Sequence, residues 1–225
     1  MRSADAGTRT GPPARTVDEA RVARITTLPN LLGLSRILLT PVVMALILLP
    51  FPGGGLLAAV VFAVAAVTDL LDGRIARARG QVTSLGVFMD LTADKVLVAG
   101  VMIAMVEVGL LPTWIVATIL GRELVIGGIR QLAASESVVI AARALGKAKT
   151  LATLIGIFVL LLARDAQTGG PLAGSAAHGA LATAGFWLMV AATVLAIVSA
   201  VDYLRGSLPM LLGSAPPPPE ERPPT

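Results

Sequence analysis

The chain has 225 residues, of which 55% are hydrophobic and only 14% charged, about half the charged fraction of an ordinary soluble domain, so a water-soluble globular fold is excluded. Its 18 Lys and Arg against 14 Asp and Glu give a formal net charge of +4, yet no RNA- or DNA-binding motif accompanies the excess and no nucleic-acid partner is expected. There is no cysteine, which excludes disulfides, thiolate nucleophiles and Cys-based zinc sites.

A mean hydropathy of +0.82 and long Ala/Leu/Val blocks without strand-like alternation predict an all-α integral membrane protein with six transmembrane helices. Residues 1–27 are a polar, Arg-containing lead; the apolar run after them is too long for a secretory signal core, so it reads as the first membrane helix. The six spans are expected at Leu28–Leu49, Leu56–Arg79, Ser84–Val108, Pro112–Ala134, Leu145–Ala163 and Leu181–Leu204. The first stops at Pro50-Phe51-Pro52-Gly53-Gly54-Gly55, and the second turns into the third around Gly80. Residues 28–205 make the membrane domain, and 206–225 a disordered Pro-rich tail.

With the N-terminus placed in the cytoplasm, the inner side collects every Lys and Arg except Arg164, which is outside, and Arg36, Lys95 and Arg122, which lie within spans. That asymmetry obeys the positive-inside rule, and the even span count puts both termini in the cytoplasm. The pI near 10.3 then reflects anchoring to anionic lipid at the inner face.

Four aspartates interrupt these apolar segments: Asp69 and Asp72 in the second span, Asp90 and Asp94 in the third. A carboxylate at the bilayer centre costs roughly 2.5–3.5 kcal/mol on insertion scales, so four together require compensation. Spacings of i, i+3 and i, i+4 put each pair on one side of its helix, and the topology brings both pairs to the inner side. Four facing carboxylates repel one another unless cations sit between them, and hard divalent cations take oxygen ligands of this kind. A metal site within a membrane enzyme is the reading that follows.

The full stretch is Asp69-x2-Asp72-Gly73-x2-Ala76-Arg77-x8-Gly86-x3-Asp90-x3-Asp94. It resembles the signature of the CDP-alcohol phosphotransferases, with eight identities over 26 positions. Outside it, Leu28-Pro29-Asn30-Leu31-Leu32 with Arg36, the run Ala93-Asp94-Lys95-Val96-Leu97, Arg122-Glu123, and Gly146-Lys147-x-Lys149-Thr150 are similar to the members of that family that use glycerol 3-phosphate. Gly33 departs from the pattern, which has Thr there.

The resemblance implies transfer of a phosphatidyl group from CDP-diacylglycerol to an alcohol, with CMP released. It implies two divalent cations, Mg2+ or Mn2+, held by Asp69, Asp72, Asp90 and Asp94, with Asp94 also the general base for the acceptor hydroxyl. Asn30, Gly73, Ala76, Arg77 and Thr83 are assigned to CDP-diacylglycerol. Glycerol 3-phosphate needs cationic partners apart from the metals, and Arg36, Arg122, Arg130, Lys147 and Lys149 are the candidates. A homodimer in contact with membrane lipid is implied, in the cell (plasma) membrane with the site facing the cytoplasm.

Blander roles fit several of these residues. Gly73, Ala76 and Gly86 taken singly are ordinary helix-packing residues. Arg74, Arg79 and Arg143 read as inner-face anchors, Trp114 and Trp187 as interfacial side chains, and Lys95 as a local neutraliser of Asp94. Arg122 and Glu123, being adjacent on a helix, are expected to have separate partners. The rival functions are a sibling enzyme whose acceptor is inositol phosphate, inositol, serine or phosphatidylglycerol, a divalent-cation transporter, and a non-catalytic lipid-binding scaffold.

Overall fold

Apolar runs of 20 or more residues, punctuated by Pro and Gly, leave the backbone little choice but to satisfy its polar groups within helices. The computed structural model describes residues 28–78, 84–135, 144–174 and 177–211, with side chains over 33–69, 92–133, 135, 146–174 and 178–208. Among them are six helices and no strand: α1 Leu28–Leu48, α2 Gly54–Ala78, α3 Ser84–Glu107, α4 Thr113–Ser135, α5 Ala144–Gln167 and α6 Ala177–Leu211. The first four match the expected spans to within two residues at each end. The last two run further, α5 taking in Arg164 and α6 reaching Leu211, so Arg164 belongs to the last turn of a helix and not to a connection.

Among the described residues two helical stretches, Gly146–Gln167 and His178–Leu208, are long and apolar enough to cross a membrane, while Gly33–Leu48 and Gly54–Asp69 are shorter apolar stretches. Only 39% and 33% of the two long windows are buried. Most of their apolar surface therefore faces outward, as lipid contact requires and a soluble core does not.

Helix directions follow from pairs of contacts. Arg122 reaches Ser199, and Arg130 lies over Tyr203, so α4 and α6 run parallel. A Cβ on Gly156 would meet Met189, and one on Gly185 would meet Leu160, so α5 and α6 run antiparallel. α1 packs along α3 and against α2, and α2 also packs on α5. The core between them is Val43, Ile47, Phe62, Val101, Met102, Met105, Ile115, Ile157, Leu160, Leu161 and Met189.

One end of the bundle is tied by two adjacent residues of α5. Arg164 donates from Nε to the Ile47 carbonyl at 3.1 Å, one of the carbonyls left over at the C-terminus of α1. Asp165 is fully buried; Oδ1 accepts the Leu56 N–H at 3.1 Å in the first turn of α2, and Oδ2 accepts the Leu172 N–H at 3.2 Å. A cation thus meets a helix C-terminus and an anion a helix N-terminus, as the helix dipoles favour. Gly55 makes the approach possible: a Cβ there would sit 2.6 Å from the Asp165 Cα and 2.8 Å from the Leu161 carbonyl. Asp165→Ala strands two backbone donors and is expected to cost about 3 kcal/mol, seen as a lower thermal midpoint in detergent. Asp165→Asn keeps an acceptor oxygen and is expected to lose less.

Candidate active site

The opposite end of the bundle carries the charge. Lys149 stands about 22 Å along α5 from Arg164, at ~1.5 Å per residue. At this end Arg36 of α1, buried at 3% exposure, pairs through NH1 with Oδ1 of Asp69 on α2 at 2.5 Å. Asp69 itself keeps 28% of its side-chain surface. Two of the sequence-derived site residues, assigned to different ligands, are therefore joined in one ion pair.

A cavity of about 410 Å3 lies between α3, α4 and α5. Its polar wall holds Asp94 and Lys95 of α3, Glu123 and Gln131 of α4, and Lys149 of α5; Leu120, Leu124 and Leu154 are part of its apolar lining. Asp94 is half-buried, and its carboxylate attracts the Lys149 ammonium. Lys149 itself is 5% exposed. The signature aspartate and a lysine assigned to the acceptor thus share a cavity although 55 positions separate them in the chain.

Glu123 organises the cations on the α4 side. Its Oε1 accepts from Arg122 NH1 at 2.7 Å and forms a close ion pair with Lys149 Nζ. Arg122 continues from NH2 to the Ser199 hydroxyl at 3.0 Å, which ties α4 to α6. The expectation that Arg122 and Glu123 would have separate partners is met by Ser199 and Lys149, but the two also bond each other. Long side chains bridge the roughly 100° between adjacent helix positions when one curls back.

The five cations expected around the acceptor are thus divided. Lys149 lines the cavity; Arg122 lies behind it, held by Glu123 and Ser199; Arg36 is paired to Asp69. Arg130 is exposed, with its guanidinium 5.8 Å from the centre of the Tyr203 ring, and Lys147 is exposed. Glu123 and the cavity position of Lys95 were not found from the sequence. The only signals for them were proximity to Arg122 and Asp94, which said nothing about α5.

α2 is helical through Asp69 and Asp72, and α3 through Asp90 and Asp94. The side chains of Asn30, Asp72, Gly73, Ala76, Arg77 and Asp90 lie outside the described residues, as does Thr83 altogether. Among the described residues no group of three His, Asp or Glu is assembled to hold a metal. Asp69 and Asp94, half-buried at one end of the bundle, offer the hard oxygen donors that suit a divalent cation, with Oδ1 of Asp69 engaged by Arg36.

Comparison with known proteins adds a second line of argument. Residues 26–198 match the family model described as CDP-alcohol phosphatidyltransferase. The chain is 40% identical over 147 residues to the CDP-diacylglycerol–glycerol-3-phosphate 3-phosphatidyltransferase of Bacillus subtilis, covering 60% of this chain and 76% of that one. It is 37% identical over 194 residues to a Mycobacterium tuberculosis protein named "Probable phosphatidylglycerophosphate synthase", covering 83% and 84%. A rice protein named cardiolipin synthase (CMP-forming) is 32% identical over 196 residues, covering 81% and 57%.

Proposed function

This chain belongs to the CDP-alcohol phosphatidyltransferase family, and we propose that Asp94 and the cavity beside it are where it moves a phosphatidyl group to glycerol 3-phosphate. It is a CDP-diacylglycerol-dependent phosphatidyltransferase whose products are phosphatidylglycerophosphate and CMP. Members of the family generally use divalent metals.

Asp69, Asp72, Asp90 and Asp94 would hold two divalent cations, Mg2+ or Mn2+, which when bound neutralise the diphosphate and polarise the phosphorus under attack. Asp94 accepts the proton of the acceptor hydroxyl. The acceptor oxygen then forms its bond to the phosphatidyl phosphorus as the bond from that phosphorus to the CMP oxygen breaks. Gly73 and Ala76 leave room for the nucleotide, Arg77 pairs with a phosphate, and Asn30 and Thr83 help to hold the CDP group. Lys149 and Arg122, with Arg36, Arg130 and Lys147 around them, supply positive charge for the acceptor phosphate. The observation that carries this reading is the cavity shared by Asp94 and Lys149, one from the signature and one from the acceptor side.

The protein lies in the cell membrane, crosses it six times and keeps both termini and the site in the cytoplasm; a homodimer in contact with membrane lipid is its assembly. Supporting this are the alternation of helix directions, the collection of Lys and Arg at the Asp94 end, and the outward-facing apolar surface.

An acceptor panel with CDP-diacylglycerol tests the assignment. Glycerol 3-phosphate is expected to give phosphatidylglycerophosphate and an equal amount of CMP, and a chelator to abolish both until Mg2+ or Mn2+ is restored. Turnover with another alcohol and none with glycerol 3-phosphate would move the chain to a sibling activity. Phosphatidylglycerol, inositol phosphate, inositol and serine are the alternatives to include. CMP release also separates the enzyme from a cation transporter.

A further inference from the structure

We infer that Lys95 is a specificity-determining residue for the acceptor, the cation that reads its phosphate dianion in the cavity it shares with Lys149; this rests on the proposed use of glycerol 3-phosphate. Lys95 lies on the polar wall of the cavity and is half-buried. Lys149, Arg122 and Arg36 are each bound to a carboxylate. Lys95, by contrast, has no ion-pair or hydrogen-bond partner among the described residues, and no ion pair joins it to Asp94, its neighbour in sequence.

Its position has a specific cause on the facing helix. A Cβ on Gly127 would stand 3.1 Å from the Lys95 ammonium, so the missing side chain leaves the notch over which Nζ rests. An ammonium kept half out of water with no counter-ion among the described residues is costly in a chain with this few charged residues, and an anion entering the cavity relieves that cost. In the same cavity one carboxylate, Glu123, is divided between two cations, Arg122 and Lys149, and Asp94 is the other carboxylate that Lys149 feels. A small dianion between Lys95 and Lys149 pairs with both and sits beside Asp94, where the hydroxyl it carries must be deprotonated.

The phosphate read by Lys95 has two sources, the acceptor or the diphosphate of CDP-diacylglycerol, and the two KM values separate them. In the full-length enzyme in detergent, Lys95→Met is expected to raise KM for glycerol 3-phosphate about ten- to hundredfold while moving KM for CDP-diacylglycerol less than about twofold. Gly127→Ala fills the notch and is expected to raise the same KM severalfold. In the double variant its effect is expected to vanish, because the ammonium it displaces is already gone. Lys95→Arg keeps the charge and is expected to recover most of the loss; with Gly127→Ala it keeps the inference testable if Lys95→Met does not fold. An unmoved KM for glycerol 3-phosphate, a raised KM for CDP-diacylglycerol, or additive effects in the double variant would overturn it. Wild-type turnover is measured first: inert glycerol 3-phosphate overturns the acceptor assignment and this role together, whereas an active wild type with an unmoved KM in Lys95→Met overturns the role of Lys95 alone.

Discussion

Asp94→Asn is expected to lower kcat about a thousandfold while leaving the helices in place and much of the metal binding intact, its metal requirement rising less than that of Asp72→Asn. The substitution keeps the size and one carbonyl oxygen of the side chain but removes the base, and general bases contribute roughly 10²–10⁴-fold. Asp94 is half-buried on the wall of a cavity, so an isosteric amide has room and can still hydrogen-bond. Asp72→Asn provides the contrast. Assigned to the metals alone, it is expected to raise the Mg2+ or Mn2+ concentration needed for half-maximal activity, with part of the lost turnover recovered at high metal. The measurement is CMP release against metal concentration for both variants, with binding of CDP-diacylglycerol followed separately. Near-wild-type turnover in both, or identical metal curves, would mean that the two aspartates do not divide the work in this way.

What the sequence made legible was set by local chemistry. Leu28–Leu48 ends where Pro50, Pro52 and Gly53 end it, and Ser84–Glu107 stops before Gly109, because apolar run length and helix-breaking residues act within a few positions. The aspartate signature was legible for the same reason: its residues lie on two consecutive helices, and the spacing itself carries the pattern. α6 was underestimated because hydropathy falls around His178 and again at Arg205 and Gly206, whereas the helical backbone is indifferent to the polarity of its side chains.

Partners between distant helices were not legible. Asp165 lies just past the expected fifth span and drew no reading, yet it accepts the N–H of Leu56, 109 positions away. Arg122 reads as a cation for the acceptor, yet much of its bonding goes to Glu123 and to Ser199 on α6. Helical spacing states which side chains share a face but not which neighbouring helix that face meets. The same gap hid the surroundings of Lys95: its adjacency to Asp94 was visible, and the notch at Gly127 on α4 was not.

The Glu123 network makes an asymmetric prediction that follows from one carboxylate serving two cations. Removing Lys149 leaves Glu123 still bonded to Arg122, and no charge is stranded. Removing Glu123 takes from Lys149, at 6% side-chain exposure, its ion-pair partner and leaves it only the more distant attraction of Asp94, and it deprives Arg122, at 14%, of its carboxylate. Breaking a fully buried pair from one side costs about 3–5 kcal/mol; with Glu123 itself 28% exposed, about 2 kcal/mol is expected for Glu123→Leu and less than half of that for Lys149→Met. The thermal midpoint in detergent should therefore fall further for Glu123→Leu. The double variant Glu123→Leu/Lys149→Met removes the stranded ammonium along with its partner and is expected to be more stable than Glu123→Leu alone. Activity should not follow stability. Lys149→Met is expected to raise KM for glycerol 3-phosphate about tenfold or more, and the double variant to stay at that level although its fold has recovered. If turnover returned together with stability, Lys149 would be a structural tie between α4 and α5, and the acceptor phosphate would have to be held by other cations.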